Sequence, residues 1–300
     1  MKKKKHIGLI IFLTILLILL IFLAIVGIRL YKVWKDAGYL EETVDLQHFS
    51  YEVELKLDKK KLSSSLTGTL DAIAEITGLE EKDVYHLKIK GSVYGEVIHA
   101  EIYPYSSKAP ITDIYLGKNG NVINGATIYN AMRKEFVEGD ERLEELLPEW
   151  EGDEYMTADQ LGLMLEANLK DISRFSFKTE KLKLSRTQYL IALAVMKKEK
   201  SSYTLKLIDN LKAGVKVKEG EVTVQASTDR LNKVIEDLND KMSIFDINIK
   251  ADNLNVIKEV SLEVTFKDGK KLKMPKETIS QRDLEAVVGV RSLIREYMGR

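Results

Sequence analysis

No cysteine occurs among the 300 residues. Disulfides, sulfur-based zinc or iron–sulfur sites and thiol chemistry are therefore excluded, as is the acylated cysteine of a lipoprotein. Such an absence fits the outside of a Gram-positive-type cell as well as a reducing cytosol. Histidine is scarce: the four are His6, His48, His86 and His99. None has a second histidine four residues on, and no His-Glu-x-x-His motif occurs, so a paired metal site has no scaffold. His86 and His99 fall on expected strands and read as ordinary sheet residues. The glycine signatures are missing too. Without a Gly-x-Ser-x-Gly turn a hydrolase nucleophile has no elbow, and neither Walker nor dinucleotide patterns appear. Net charge is zero, with 46 basic and 46 acidic side chains. The chain reads as a non-enzyme with no catalytic residue, no metal ligand and no cofactor, and no nucleic-acid partner is expected.

Against these absences stands one long apolar run. After Lys2 to Lys5, the 22 residues from Ile7 to Ile28 carry no charge. As a helix they would extend about 33 Å, enough to cross a hydrocarbon core of about 30 Å. The run is longer than the apolar region of a signal peptide, and its exit, Ala24-Ile25-Val26-Gly27-Ile28, lacks the small-x-small pattern of a cleavage site. Retention as a signal-anchor is expected. Lys2 to Lys5 before the span outnumber Arg29, Lys32 and Lys35 after it, which with the large C-terminal remainder points to a cytoplasmic N-terminus. The expected organisation is a cytoplasmic tail over 1–6, a transmembrane helix over 7–28 and a juxtamembrane linker over 29–48. An extracytoplasmic α+β domain follows over 49–300. Tyr31 and Trp34 suit the membrane edge.

Within the domain, alternation of Phe49, Tyr51, Val53, Leu55 and Leu57 with polar residues predicts a half-buried strand. Leu62, Leu66, Leu70 and Ile73 fall at helical spacing. Strands are expected at Tyr85–Ile89, Val97–Ile102, Asp113–Leu116 and Val122–Ile123, the last two flanking an Asn119-Gly120 turn suited to type I′. A helix follows over Ala126–Phe136. Thr157 with Gln160, and Ser185 with Gln188, have capping-box spacing at the starts of two further helices. Strands at Tyr203–Ile208, Val215–Val217 and Val222–Ala226 lead to an amphipathic helix carrying Leu231, Val234, Ile235, Leu238 and Met242. Ile244–Lys250, Val260–Phe266 and Leu272–Met274 read as strands, and Ser280 opens a terminal helix.

Two patterns divide the domain. Asp36 to Leu169 holds 12 basic and 27 acidic residues, a net of −15, whereas Lys170 to Arg300 holds 27 and 19, a net of +8. Either the halves neutralise each other across an internal interface, or the basic half faces anionic lipid or polymer while the acidic half faces away. The segment 138–154 concentrates the negative charge. It lacks the Asp-x-Asp-x-Asp-Gly order of a calcium loop and reads as a solvated acidic stretch. Lys61-Leu62-Ser63, a helix and Tyr85–Ile89 parallel Lys183-Leu184-Ser185, a helix and Tyr203–Leu207. A duplicated strand-helix-strands-helix unit, with halves at 49–169 and 170–300, would give two similar curved antiparallel sheets.

The layout of an anchor followed by strand and helix units such as Leu62–Ile73 and Leu231–Met242 is similar to uncharacterised Gram-positive envelope proteins with tubular or half-barrel lipid-binding ectodomains. That resemblance is architectural and carries no functional residue. It implies a sheet that leaves an apolar groove for acyl chains. The expectation is a non-enzymatic, single-pass cell-membrane protein whose external domain binds a lipid or other amphiphilic envelope component. The alternative is a structural or adaptor subunit that docks a protein partner through 138–154.

Overall fold

The computed structural model describes residues 29–298 apart from 65–66, 69, 72–73, 75–78, 119, 138–140, 166–182, 201, 206–209, 243–255, 268–270 and 277. The apolar run Ile7–Ile28 and the expected strand Ile244–Lys250 lie outside the described residues. Among the described residues no helix is long and apolar enough to cross a membrane.

The domain is α+β, built on one curved antiparallel sheet of 11 strands. Its first half is a meander: β1 (His48–Leu57), β2 (His86–Tyr94), β3 (Val97–Pro104), β4 (Thr112–Gly117), β5 (Gly120–Asn124) and β6 (Tyr155–Thr157). The chain then passes to the opposite edge and returns inward through β7 (Lys197–Glu199), β8 (Ser202–Leu205), β9 (Lys212–Lys218), β10 (Glu221–Thr228) and β11 (Ile257–Phe266). The order across the sheet is β6-β5-β4-β3-β2-β1-β11-β10-β9-β8-β7. Pairing of β1 with β11 makes one sheet where the sequence suggested two.

That pairing also explains why Leu272–Met274 forms no strand. β11 is already hydrogen-bonded on both sides, to β1 and to β10, so a following strand has no free neighbour. The hairpin between β4 and β5 pairs Gly117 with Gly120, so Gly120, expected in the Asn119-Gly120 turn, belongs to the ladder. This register keeps Ile114 opposite Ile123 on one face; a slip of β5 by one residue would turn Ile123 to the other.

Helices follow the capping signals. Residues 29–43 form α1, within the stretch read as a linker. Helical residues between 64 and 74 precede α2 (Glu81–Tyr85), which takes in Tyr85, read from sequence as part of a strand. Next come α3 (Ala126–Val137), α4 (Glu141–Leu146), α5 (Ala158–Leu165), α6 (Arg186–Ala194), α7 (Leu231–Met242) and α8 (Gln281–Met298). Both capping boxes form. The Thr157 and Gln160 side chains accept each other's backbone N–H, and Ser185 and Gln188 do the same at α6. Ser280 accepts from the Asp283 N–H at the start of α8, and Thr228 from the Arg230 N–H before α7.

The buried clusters are crossed with respect to chain order. The N-terminal α1 packs, with α6, on the second half of the sheet: Ala37, Leu40 and Leu193 meet Tyr203, Val217, Val222 and Phe266. The C-terminal α8 packs on the first half, where Leu284 joins Ile123, Tyr129, Met156, Leu161 and Met164. Asp36 of α1 fixes this exchange at the far edge. It lies 2.6 Å from Lys198 Nζ and accepts the Tyr203 hydroxyl, while Lys198 and Tyr203 are 2.8 Å apart. Burial and the bond to Asp36 push the Tyr203 hydroxyl pKa up.

Near the centre of the sheet a glycine permits a close approach of its neighbours. A Cβ on Gly91 would stand 2.0 Å from the His99 carbonyl oxygen and 2.6 Å from the Tyr51 hydroxyl. Tyr51 lies over this gap and donates to the His99 carbonyl at 3.1 Å. Gly91→Ala is therefore expected to cost about 1–3 kcal/mol or more through overpacking. A lowered urea midpoint would show it; an unchanged midpoint would mean that the strands part freely here.

Candidate functional site

Register places a single apolar row across nearly the whole sheet. From β6 inward it runs Met156, Ile123, Ile114, Ala100, Gly91 and Tyr51, and continues outward as Val264, Val224, Val215 and Tyr203 on β8. The row ends at Lys198 on β7, whose ammonium is paired with Asp36. The next row of the same face reads Ile102, Ile89, Val53, Leu262, Ala226 and Ala213. These rows follow from the two-residue period of a strand, which sends alternate side chains to one face.

The outer parts of this face are roofed by the two helix clusters, and the middle is not equally covered. Ile123 and Met156 at one side are 3% and 0% exposed, and Tyr203 and Val222 at the other are 1% and 0%. Between them Tyr51, Val53, Leu55, Ile89 and Ile102 are only half-buried, and Leu262 is 39% exposed. The small side of the row, Gly91 and Ala100, lies in this same middle. The result is a partly buried apolar strip along β1, here called the trough, between the helix-covered halves.

Its two ends differ. At the Leu57 end, Leu57, Leu62, Leu70 and Leu79 pack on Ala74, Val84 and Tyr85 and close it. At the Phe49 end lies a cleft of ≈ 610 Å³ of mixed character, lined by Phe49, Val93 and Leu272 together with polar residues that include Glu42, Asp45, His48, Ser50, Ser92 and Lys267. β1 carries the strip from Phe49 to Leu57, a length of about 27 Å at the usual strand rise.

The opposite face is polar. Glu52, Lys90, Glu101 and Asp113 run from β1 to β4, and Asn124 and Tyr155 continue on β5 and β6. Asp113 is the hub: His99 Nε2 lies at 3.2 Å, Asn124 Nδ2 donates at 2.8 Å and the Tyr155 hydroxyl at 3.0 Å. Burial pushes the Asp113 carboxyl up, but the hydrogen bonds from His99, Asn124 and Tyr155 outweigh it and hold the carboxyl below its ordinary value. Burial, together with the adjacent Asp113 charge, pushes the Tyr155 hydroxyl up. His99 also stacks on Tyr115, with ring centroids 4.3 Å apart. These groups bind one another, which makes the cluster a strut within the sheet.

The other histidines are equally engaged. His86 lies 2.6 Å from Glu54 and stacks on Tyr105 at 3.9 Å, on the rim of a polar cleft of ≈ 280 Å³ that Lys56, Lys212, Asp229 and Glu259 also line. His48 lies 2.7 Å from Asp45. β2 and β3 are neighbours, yet the register sets Ser92 opposite His99 and leaves His86 near the strand end beside Lys56, so His86 and His99 do not meet. Among the described residues no group of three or more potential ligands is placed to hold a metal ion.

In the acidic segment, Trp150 stacks on Tyr129 at 4.0 Å and its backbone exchanges hydrogen bonds with the Asn130 side chain. Glu144, Glu145, Glu149 and Glu151 are exposed around this anchor. The segment stands beside β6, at one edge of the sheet, while Lys197, Lys212, Lys216 and Lys218 lie on β7 and β9 toward the other. Charge contacts between the halves do occur, as in Arg186 with Glu41 and Lys198 with Asp36. They draw on α1, and the acidic run at 138–154 remains far along the sheet from the lysines.

No family model matches the chain, and no curated protein or solved structure matches it either.

The trough was partly legible in advance. Phe49 to Leu57 show the alternation, but its pairing with Leu262 and Val264, more than 200 residues away, leaves no local signal. The Asp113 hub likewise arises from β3, β4, β5 and β6 together. Removing its charge with Asp113→Asn is expected to cost about 1–3 kcal/mol near neutral pH. Because the folded carboxyl is depressed, its stabilisation is present above its unfolded value and is lost as pH falls through the folded one. The stability gap between the native chain and Asp113→Asn should therefore close on acidification below about pH 4. Chemical denaturation at several pH values measures it, and a gap independent of pH would remove the hub role.

Proposed function

We propose that the chain is a non-enzymatic, single-pass membrane-anchored envelope protein whose external domain binds a lipid or another amphiphilic envelope component. The observation that supports this most directly is the half-exposed apolar trough on β1, β2, β3 and β11. The Leu57 cluster covers one end of it, and Phe49 and Val93 at the other end line the ≈ 610 Å³ cleft. An acyl chain on Val53, Ile89 and Leu262 would take apolar surface out of water at about 25 cal/mol per Å², and a polar headgroup would meet Glu42, His48 and Lys267 at the mouth. The apolar run Ile7–Ile28 with its leading lysines supplies the anchor in this reading, with the N-terminus in the cytoplasm. The two meanders advance in the same direction across the sheet, each with a helix-bearing connection before its last strand, in keeping with a duplicated unit.

The full chain purified from native membrane is expected to carry bound lipid, seen by mass spectrometry of an organic extract. Leu262→Asp, at a site already 39% exposed, should reduce that lipid several-fold at a cost of about 1–2 kcal/mol, too little to unfold the domain. Lipid-free native protein, or undiminished lipid in Leu262→Asp, would count against the trough.

A second reading, an adaptor that docks a protein partner through 138–154, is favoured by the exposed carboxylates held around Trp150. Changing Glu144, Glu145, Glu149 and Glu151 together to Gln should then abolish co-purification of that partner without unfolding the domain. Unchanged partners would end this reading.

A further inference from the structure

Six of the ten large hydrophobic side chains that stand exposed among the described residues belong to two adjoining helices or their flanks: Leu30, Tyr31, Trp34, Leu184, Ile191 and Val195. The first three lie on the opening turns of α1, and the last three on α6 or its immediate flanks. A soluble surface spreads such residues singly, so their concentration calls for a partner.

The two helices are fastened together. The Arg186 guanidinium lies 5.2 Å over the Trp34 ring, its Nε is 3.6 Å from Glu41, and a Cβ on Gly38 would stand 2.3 Å from its Nη2. α6 buries Leu193 and packs Tyr189 and Leu190 against the α1 cluster. Ile191 and Val195, four apart, share the other side of the helix, each 62% exposed. α6 is thus apolar on both sides, and only one side is used within the domain.

We infer that the C-terminal end of the outer face of α6, with the first turns of α1, rests on the headgroup layer of an anionic bilayer. This rests on the anchor reading of Ile7–Ile28 and adds to it an orientation of the whole domain. Residue 29 follows directly on the apolar run. At the helical rise, Trp34 stands about 7–8 Å farther out, close to the thickness of one headgroup layer; the Arg186 N–H donates to Glu41 while Lys198 pairs with Asp36, so α6 runs back along α1 and its C-terminal end, with Val195, comes nearest that level. Charge favours the same arrangement. Arg29, Lys32 and Lys35 on the opening turns of α1 and Lys200 beyond the end of α6 are exposed. Lysine beside an apolar stripe is the pattern of an interfacial helix, and each basic residue near an anionic surface contributes about 1 kcal/mol. The acidic segment lies toward the other edge of the sheet, away from the negative surface.

The native chain lacks cysteine, so single thiols report single sites. Full-length Leu30→Cys, Ile191→Cys and Glu149→Cys proteins, each carrying an environment-sensitive fluorophore, would be reconstituted at high lipid excess. The vesicles are phosphatidylcholine with phosphatidylglycerol, and a nitroxide-bearing lipid acts as quencher. Labels at Leu30 and Ile191 are expected to be quenched several-fold more than the one at Glu149. Quenching at Ile191 should weaken in purely zwitterionic vesicles and at high salt. Quenching at Leu30 with none at Ile191 would overturn the docked orientation and leave the anchor standing. Absence of quenching at both would overturn the two together. Pyrene excimers at Ile191 without lipid quenching would assign the face to a second copy and overturn the bilayer contact.

Discussion

Everything in this fold depends on the pairing of its first strand with its last. Ser50 opposite Thr265 closes a loop of 215 residues, and the ladder runs from there to the β1 end at Leu57. Loop closure of that length costs roughly 5 kcal/mol of chain entropy beyond a constant. The return comes from joining two meanders into one sheet with a common apolar face. Without β1 against β11 each half would expose a central strand edge, and the trough between them would have no floor. Such non-local pairing also implies slow folding, because many contacts form only after distant segments meet.

The two faces of the sheet divide the physical work. On one, helices cover the outer strands and leave a central apolar strip; on the other, cross-strand pairs such as Lys88 with Glu52 and the Asp113 hub satisfy polar groups against one another. Exchange of the terminal helices couples the halves a second time. α1 starts the chain and packs on its later half, and α8 ends the chain and packs on its earlier half. Loss of either helix would therefore weaken the half that it does not belong to in sequence.

Much of the element content was legible in the sequence because its causes are local. The alternation at Phe49–Leu57 and the two capping boxes each depend on side chains a few residues apart, and they form as expected. Short strands were harder. β6 and β7 have three residues each, too few to show a period, and Lys197–Glu199 reads as a turn until β8 is seen beside it. Sheet order was not readable at all, because the sequence similarity between Tyr85–Ile89 and Tyr203–Leu207 says nothing about which strands lie between them. The site shares that limit. Val53 and Ile89 announce an apolar face, but whether a helix covers them is decided by the lengths and positions of segments elsewhere.

The same brevity at the sheet's margins has a consequence for association. A wide antiparallel sheet ends in unpaired backbone donors and acceptors, and two such edges meeting would extend one molecule into the next. Here the outermost strands offer only three residues each, and one of them is Lys-Lys-Glu. Such short edges give an incoming strand little to pair with. The sheet is thus finite by construction, and many copies can share a crowded surface without polymerising through their backbones.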